Sequence, residues 1–230
     1  MKDRTINLHT VAEVARSLKH LKDKMVFVGG AVVSLYTDDP AADEIRPTSD
    51  IDLTVMLMSY GEWVQMQEEL ASLDIFPDPA GPSIFRYKLR DIPLDIIPFQ
   101  DSSLGPSNRW YALGMNDLLN IEVHGEQIQI FPPPCFLATK FEAFNSRGRD
   151  YRTSHDIEDI VYVLDNRATI AEEIIDASTE IRSFIKDSIR KILDRGLLDE
   201  VLTAHINPLM LEERLPILQE KIDRILTESA

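Results

Sequence analysis

Two aspartates separated by one residue, Asp50 and Asp52, stand at the start of an apolar segment that continues to Val55. Alternate side chains of a β-strand point to the same face, so both carboxylates project one way while Ile51 and Leu53 project the other. Two carboxylates side by side repel each other unless a cation lies between them. Carboxylate oxygens are ligands that Mg²⁺ prefers. The spacing indicates a binding site for a divalent cation. The competing interpretation is a pair of solvated acids at the end of a strand.

A third acid, Asp95, lies within the apolar run 92–99, which predicts a strand buried on both faces. An ionised carboxylate in such a strand needs a partner, because its burial is otherwise costly. That partner is either a metal ion or an arginine such as Arg86 in a core salt bridge. Three carboxylates on adjacent strands would suit two Mg²⁺ ions, which can activate an attacking hydroxyl and neutralise a polyphosphate leaving group.

A glycine pair, Gly29 and Gly30, follows the apolar strand predicted at 25–28 and opens a short helix predicted at 31–35. The first backbone N–H groups of a helix have no partner within it and carry a partial positive charge, which suits a phosphate. A phosphate cradle close to a metal seat indicates nucleotide chemistry.

The remaining periodicity predicts an α+β fold, with a small mixed β-sheet and flanking helices followed by a C-terminal helical region. Helices are expected at 8–22 and 62–73, a strand at 51–58, and the loop 36–49, with two prolines and four acids, should be solvated. Strands 84–89 and 92–99 should pair through a tight turn at Arg90 and Asp91, and a second hairpin should cover 121–131. Beyond Pro132 we expect helices at 135–145, 154–164 and 209–227, and a helical segment with breaks at 170–195.

The composition bounds the class of partner. The 230 residues carry a formal net charge of −15 and one cysteine, Cys135, which cannot form an internal disulfide. The N-terminus lacks the apolar core of a signal peptide and no run has transmembrane length, so we expect a cytoplasmic protein without a membrane partner. The acidic balance disfavours a broad nucleic-acid surface and fits a small substrate, a protein substrate or a partner with a basic face.

The order Gly29-Gly30, Asp50-Ile51-Asp52 and a later Asp95 resembles the DNA polymerase β-like nucleotidyltransferase superfamily. The resemblance implies that Asp50 and Asp52 bind both metals, and that Asp95 helps to bind the catalytic metal and activates the acceptor hydroxyl. The glycine turn would hold the triphosphate of an NTP. Gly30 departs from the pattern, because many members have a serine there, and Ser34 is a weak substitute one turn later.

The helical half is most similar to the AbiEii-type nucleotidyltransferases, which are bacterial abortive-infection toxins. That resemblance rests on Lys140 and on the segment 155–160, where His155 replaces an arginine. It implies that Lys140 contacts nucleotide phosphates and that Asp156 or Asp159 orients Lys140 or the base. The resemblance covers about residues 24–165. From the pattern of the chain we expect a catalytic core at 1–131 and a helical domain at 132–230 that completes the nucleotide cleft.

Ordinary interpretations compete with these roles. Lys140 and Arg147 lie seven residues apart and share a helix face, which is most often a solvated surface. Asp156 and Asp159 suit a first helical turn, where acids are favoured by the helix dipole.

We interpret the chain as a Mg²⁺-dependent nucleotidyltransferase that moves an NMP from an NTP to a hydroxyl of a tRNA end or a protein, as relatives in toxin–antitoxin pairs do. An aminoglycoside-like small acceptor, a nucleotide-binding protein without turnover, or a partner-binding module built on the C-terminal helices are the alternatives.

Overall fold

The computed structural model describes residues 6–57, 59–99, 108–147 and 150–228. The chain divides into two compact units. The first, the sheet unit, comprises Met1–Ser34 and Ile45–Pro132, and the second, the helical unit, comprises Leu35–Glu44 and Pro133–Ala230. The domain boundary predicted between residues 131 and 132 stays a prediction, and the sequence does not indicate that Leu35–Glu44 groups with the helices. The prediction that the second domain completes a nucleotide cleft stays a prediction.

The sheet unit contains a mixed five-stranded sheet with the order β1-β2-β5-β4-β3 in its described residues. Strand β2 pairs antiparallel with β1 and parallel with β5, and β4 pairs antiparallel with both β5 and β3. The strands are β1 (Met25–Val28), β2 (Ile51–Met56), β3 (Ile75–Pro77), β4 (Arg86–Leu89) and β5 (Ile92–Phe99). A separate antiparallel hairpin is formed by β6 (Leu119–Val123) and β7 (Glu126–Ile130). The predicted α+β fold with a small mixed sheet is confirmed.

Helices flank this sheet. Helix α1 (Leu8–Leu18) begins at Asn7, whose side chain accepts a hydrogen bond from the backbone of Thr10, and a 3-10 helix (Lys19–Lys24) continues it. Helix α2 (Tyr60–Ser72) begins two residues earlier than its periodicity suggests, because Ser59 and Glu62 form a reciprocal capping box. Its buried face consists of Trp63, Met66 and Leu70. A short helix, α3 (Tyr111–Gly114), follows β5 in the described chain.

The helical unit contains α4 (Pro133–Arg147), α5 (His155–Asn166), α6 (Ile170–Asp176), α7 (Thr179–Asp194), α8 (Leu198–His205) and α9 (Leu211–Thr227). The helical segment expected at 170–195 is interrupted at Ala177 and Ser178, where the Ser178 side chain caps α7. The acidic loop is anchored in this unit, because the backbone N–H groups of Asp38 and Asp39 donate to the carbonyl of Asn166. In the described part of the chain no helix combines the length and the apolar character needed to cross a bilayer.

Candidate active site

Three carboxylates lie close together on one face of the sheet. Asp52 on β2 is the register partner of Asp95 on β5, and Asp95 is in turn the partner of Arg86 on β4. Cross-strand partners project from the same face, so these side chains stand in a row across three strands. Asp50 precedes Asp52 by two residues and shares its face. We call Asp50, Asp52 and Asp95 the acid row.

Arg86 lies between two members of the acid row. Its Nε donates to Oδ1 of Asp95 at 2.6 Å, and one terminal nitrogen donates to Oδ2 of Asp95 and to Oδ2 of Asp50, both at 2.8 Å. The side chains of Arg86 and Asp95 are only 13% and 18% exposed. Burial alone would lower the pKa of Arg86, but the hydrogen bonds and charges of Asp95 and Asp50 raise it on balance. The arginine is therefore a fixed positive charge within the acid row.

The expectation that β5 is buried on both faces is wrong. Its residues alternate between buried and half-buried positions up to Ile97, and Asp95 lies on the half-buried side. The strand looks uniformly apolar in the sequence because Pro93 and Ile97 also occupy that side. Asp95 therefore faces the acid row and Arg86, where a hydrogen-bonded ion pair offsets its desolvation.

The donor chemistry of the acid row suits a hard divalent cation, since all of its side-chain ligands are carboxylate oxygens. Among the residues that the structure describes, however, no three His, Cys, Asp or Glu side chains are gathered as a ready ligand set. Arg86 accounts for this arrangement, because it engages both oxygens of Asp95 and one of Asp50. The acids fit a metal ion that shares Asp95 with Arg86 or replaces Arg86 there.

The glycine turn adjoins the acid row. Gly29 has a φ of +74°, and a Cβ atom there would overlap the carboxylate of Asp52. Only a residue without a side chain permits this approach, so Gly29 makes room for Asp52. Gly30 begins a seven-residue 3-10 helix (Gly30–Tyr36), where the sequence suggests an α-helix, and Ser34 is half-buried within it.

Two side chains that the sequence analysis did not select lie over Gly30. A terminal nitrogen of Arg46 lies 3.1 Å, and the hydroxyl of Thr48 3.3 Å, from the position that a Gly30 Cβ would occupy. The Thr48 hydroxyl also donates to Oδ1 of Asp50 at 3.4 Å. It thus lies close to the place where many members of the superfamily that the sequence resembles have a serine. The sequence could have indicated both residues, because each lies within four positions of Asp50.

Lys140, Asp156 and Asp159 come together inside the helical unit. The Lys140 ammonium donates to Oδ2 of Asp159 at 2.6 Å and lies 3.9 Å from Oδ1 of Asp156. Asp156 also accepts from Arg147 at 2.7 Å, and Ser154 caps the helix that carries both acids. The solvated-surface interpretation is wrong for Lys140, whose side chain is only 9% exposed. Three ion pairs thus join four charges whose sum is zero.

A cavity of about 490 Å³ also lies in the sheet unit, away from the acid row. It is lined at the far end of β2 by Val55, Met56 and Leu57 and on α2 by Glu62, Met66 and Glu69. No member of the acid row lines it, so this cavity does not mark the catalytic chemistry.

Comparison with known proteins supports the fold. No protein family profile and no curated protein matches the chain. Among solved structures, an antigenic nucleotidyltransferase-like protein from Paracoccidioides brasiliensis superposes with a TM-score of 0.54 at 20% identity, covering 87% of this chain and 93% of that one. The antibiotic-resistance factor ANT(2'')-Ia in solution gives a TM-score of 0.47 at 10% identity over 82% of this chain and 94% of its own. A putative nucleotidyltransferase from H. pylori gives 0.40 at 14% identity over 94% and 89%. The chain thus has the fold of a nucleotidyltransferase-like protein.

Proposed function

We propose that this protein is a Mg²⁺-dependent nucleotidyltransferase that moves a nucleoside monophosphate from an NTP to an acceptor hydroxyl. The observation that carries the proposal is the register of β2 and β5, which pairs Asp52 with Asp95 beside the Gly29 turn. In the reaction the acceptor oxygen bonds to the α-phosphorus, the bond from that phosphorus to the bridging oxygen breaks, and pyrophosphate leaves. Asp95 would accept the hydroxyl proton.

Asp50, Asp52 and Asp95 would hold two Mg²⁺ ions in the proposed site. When bound, these ions supply activation of the hydroxyl and neutralisation of charge on the leaving pyrophosphate. The carboxylates of Asp50 and Asp52 would contribute to both sites, and Asp95 to the site of the acceptor. Asp52 and Asp95 have a fixed orientation because they project from paired strands, and Asp50, which lies immediately before β2, is held by its hydrogen bond from Arg86.

The triphosphate would lie against Gly29 and Gly30. The hydroxyl of Thr48 and the guanidinium of Arg46 support this role, because both lie over Gly30 and both can donate to phosphate oxygens. In the helical unit, we expect Lys140 to contact nucleotide phosphates and Asp156 or Asp159 to orient Lys140 or the base. Ser34, in the sheet unit, stays a weaker candidate for contact with the phosphates.

For the acceptor we propose chemical classes rather than a single molecule. A tRNA end or a protein hydroxyl fits the resemblance to toxin nucleotidyltransferases, in which case an antitoxin protein would be a partner and the location cytoplasmic. A small hydroxylated molecule of the aminoglycoside kind fits the net charge of −15 better, since that charge repels polyanions.

A non-catalytic nucleotide-binding protein is the second candidate, and Arg86 is the observation that favours it. Three carboxylates without a counter-charge would argue for metal, because they would repel one another. Arg86 already supplies a counter-charge to Asp50 and Asp95. The acid row can therefore be stable without metal, and turnover has to be measured rather than inferred from the acids alone.

The test uses NTPs labelled at the α-phosphate, one base at a time, with Mg²⁺ and with tRNA, lysate protein, the chain itself or an aminoglycoside as acceptor. Label should move to one acceptor class with the wild type and not with Asp52→Asn. Asp187→Asn, on the exposed face of α7, is the matched control and should retain the activity. If no label moves but NTP raises the melting temperature of the wild type, the site binds nucleotide without using these acceptors, which favours the non-catalytic candidate and makes other small hydroxylated molecules the next acceptors to test. If the wild type neither transfers label nor gains stability with Mg²⁺ or NTP, both candidates are rejected.

A further inference from the structure

Arg86 is held more firmly than a typical surface arginine. Three hydrogen bonds of 2.6–2.8 Å join its guanidinium to the acid row, and its register opposite Asp95 is fixed by the β4–β5 hairpin. Gly81 packs directly on its aliphatic stem, where any Cβ would overlap it. Asp78 completes the support, since its backbone N–H donates to the carbonyl of Arg86 and its carboxylate pairs with Lys88. The guanidinium is thus preorganised on the acids.

The contacts of Arg86 overlap with those that a metal ion would need. Both oxygens of Asp95 and one oxygen of Asp50 already accept hydrogen bonds from Arg86. Each of these oxygens has a further lone pair, so a divalent cation that binds Asp95 either shares the carboxylate with Arg86 or replaces one of its bonds, and in both cases it approaches a positive charge. Two like charges this close repel each other, and the repulsion is stronger at a protein surface than in bulk water.

We propose that Arg86 is an internal counter-cation that competes with divalent metal for Asp95 and Asp50 and sets the metal concentration at which the acid row is loaded. The inference rests on the proposed function for the identity of the metal site. Arg86 acts through the carboxylates, so it is a positioning residue rather than a catalytic one. Without metal it keeps the acids paired and the sheet stable, and metal binding weakens its contact with at least one carboxylate.

The test measures Mn²⁺ binding to the full-length chain by the loss of the free-ion paramagnetic signal, without NTP or acceptor. Arg86→Gln should bind Mn²⁺ at least about tenfold more tightly than the wild type, because one positive charge and its hydrogen bonds no longer compete. Arg90→Gln is the matched control. It removes the same charge from the same hairpin, but Arg90 is 72% exposed and pairs with Glu13, so its affinity for Mn²⁺ should equal that of the wild type.

A second variant guards against misfolding of Arg86→Gln. Arg86→Lys keeps the charge but loses the planar fork, so it should bind Mn²⁺ with an affinity between those of the wild type and Arg86→Gln. If Arg86→Gln folds and binds Mn²⁺ no more tightly than the wild type, the proposal is overturned. If Arg86→Gln does not fold, weaker Mn²⁺ binding by Arg86→Lys than by the wild type overturns it. Binding by Arg86→Gln where the wild type binds none would support it strongly.

The same measurements separate this inference from the proposed function. If the wild type binds Mn²⁺ and transfers label but Arg86→Gln binds no more tightly, only the role of Arg86 is rejected. If neither the wild type nor any Arg86 variant binds Mn²⁺, the metal-dependent function is rejected and the role of Arg86 with it.

Discussion

At the scale of single residues, the close approach of Gly29 to Asp52 makes the acid row sensitive to one methyl group. Gly29→Ala places a Cβ on the Asp52 carboxylate and also strains a backbone with φ of +74°. We expect a loss of about 2–4 kcal/mol in the free energy of unfolding, from overpacking and backbone strain together. Urea denaturation measures it, and Mn²⁺ binding should weaken in parallel.

Gly125 provides the control for this substitution. It has a φ of +82° in the turn between β6 and β7, and a Cβ there would meet nothing within 4 Å. Gly125→Ala should therefore cost only the backbone strain, about 1 kcal/mol, and leave Mn²⁺ binding unchanged. An equal loss of stability in the two variants would show that Asp52 is not constrained by Gly29.

Thr48 is the residue-scale test of the triphosphate site. Thr48→Val keeps the shape of the side chain but removes the hydroxyl that lies 3.3 Å from the Gly30 Cβ position. A hydrogen bond to a charged group contributes about 1.5–3 kcal/mol, so we expect KM for the NTP to rise roughly tenfold or more with a smaller change in kcat. Steady-state kinetics measures both constants, and Thr203→Val on the exposed side of α8 is the control. An unchanged KM would place the phosphates elsewhere.

At the scale of elements, helices α4 and α5 are joined by the pair Lys140–Asp159, which is nearly fully buried. Lys140→Met leaves the Asp159 charge without this partner and should destabilise the protein by about 3–5 kcal/mol. The double variant Lys140→Met, Asp159→Leu should recover most of that loss, because no buried charge of the pair remains. A double-mutant cycle in urea measures the coupling.

The same double variant separates packing from function. If Lys140 contacts nucleotide phosphates, the double variant should be stable but transfer label much more slowly than the wild type. Full transfer activity in the stable double variant would show that the lysine serves only the packing of α4 on α5.

Helix α9 contributes a half-buried lysine that responds to pH. The Lys221 ammonium donates to the carbonyls of Leu164, Asp165 and Arg167 at 2.8–3.0 Å, around the end of α5. Burial lowers the pKa of Lys221 from its ordinary value of 10.5, with attraction to Asp165 opposing it. Between the lowered pKa and 10.5 the folded chain binds fewer protons at this lysine than the unfolded chain, so Lys221 makes stability rise with pH.

Lys221→Met removes this contribution and the three hydrogen bonds. We expect the variant to lose about 2 kcal/mol at neutral pH. The difference between the wild type and the variant should widen toward about pH 10, because only the wild type gains from the linkage. Urea titrations at several pH values measure the difference, with Lys191→Met on the exposed face of α7 as the control. A difference that narrows with rising pH would contradict the lowered pKa.

Much of the sheet could be predicted from local patterns, and the missing parts depend on contacts distant in sequence. The turn at Arg90 and Asp91 fixes the β4–β5 register, so counting outward from it places Arg86 opposite Asp95. The contact of Arg86 with Asp50 could not be predicted by such counting, because that contact requires β2 to pair with β5 in parallel. The grouping of Leu35–Glu44 with the helices likewise depends on distant hydrogen bonds, such as those from Asp39 to Asn166 and from Arg214 to Asp39.

At the scale of the whole molecule, the net charge of −15 acts on the acceptor before any contact is made. The Debye length falls from about 30 Å at 0.01 M salt to about 8 Å at 0.15 M, so repulsion of a polyanion is strong only at low salt. If the acceptor is RNA, the ratio of its kcat/KM to the kcat/KM of a neutral acceptor with the same NTP should rise several-fold over this range. A cationic acceptor, such as an aminoglycoside, should show the opposite trend.

Comparing acceptors at each salt concentration cancels the effect of salt on Mg²⁺ and NTP binding, since these are common to both reactions. The measurement is the ratio of initial transfer rates at limiting acceptor concentration, with the ionic strength varied by NaCl. A steep fall of the RNA ratio with salt would mean that a local basic surface, rather than the net charge, governs the encounter, because phosphate contacts then release counterions. The direction of the salt dependence therefore shows whether the net charge or a local basic surface governs the encounter with the acceptor.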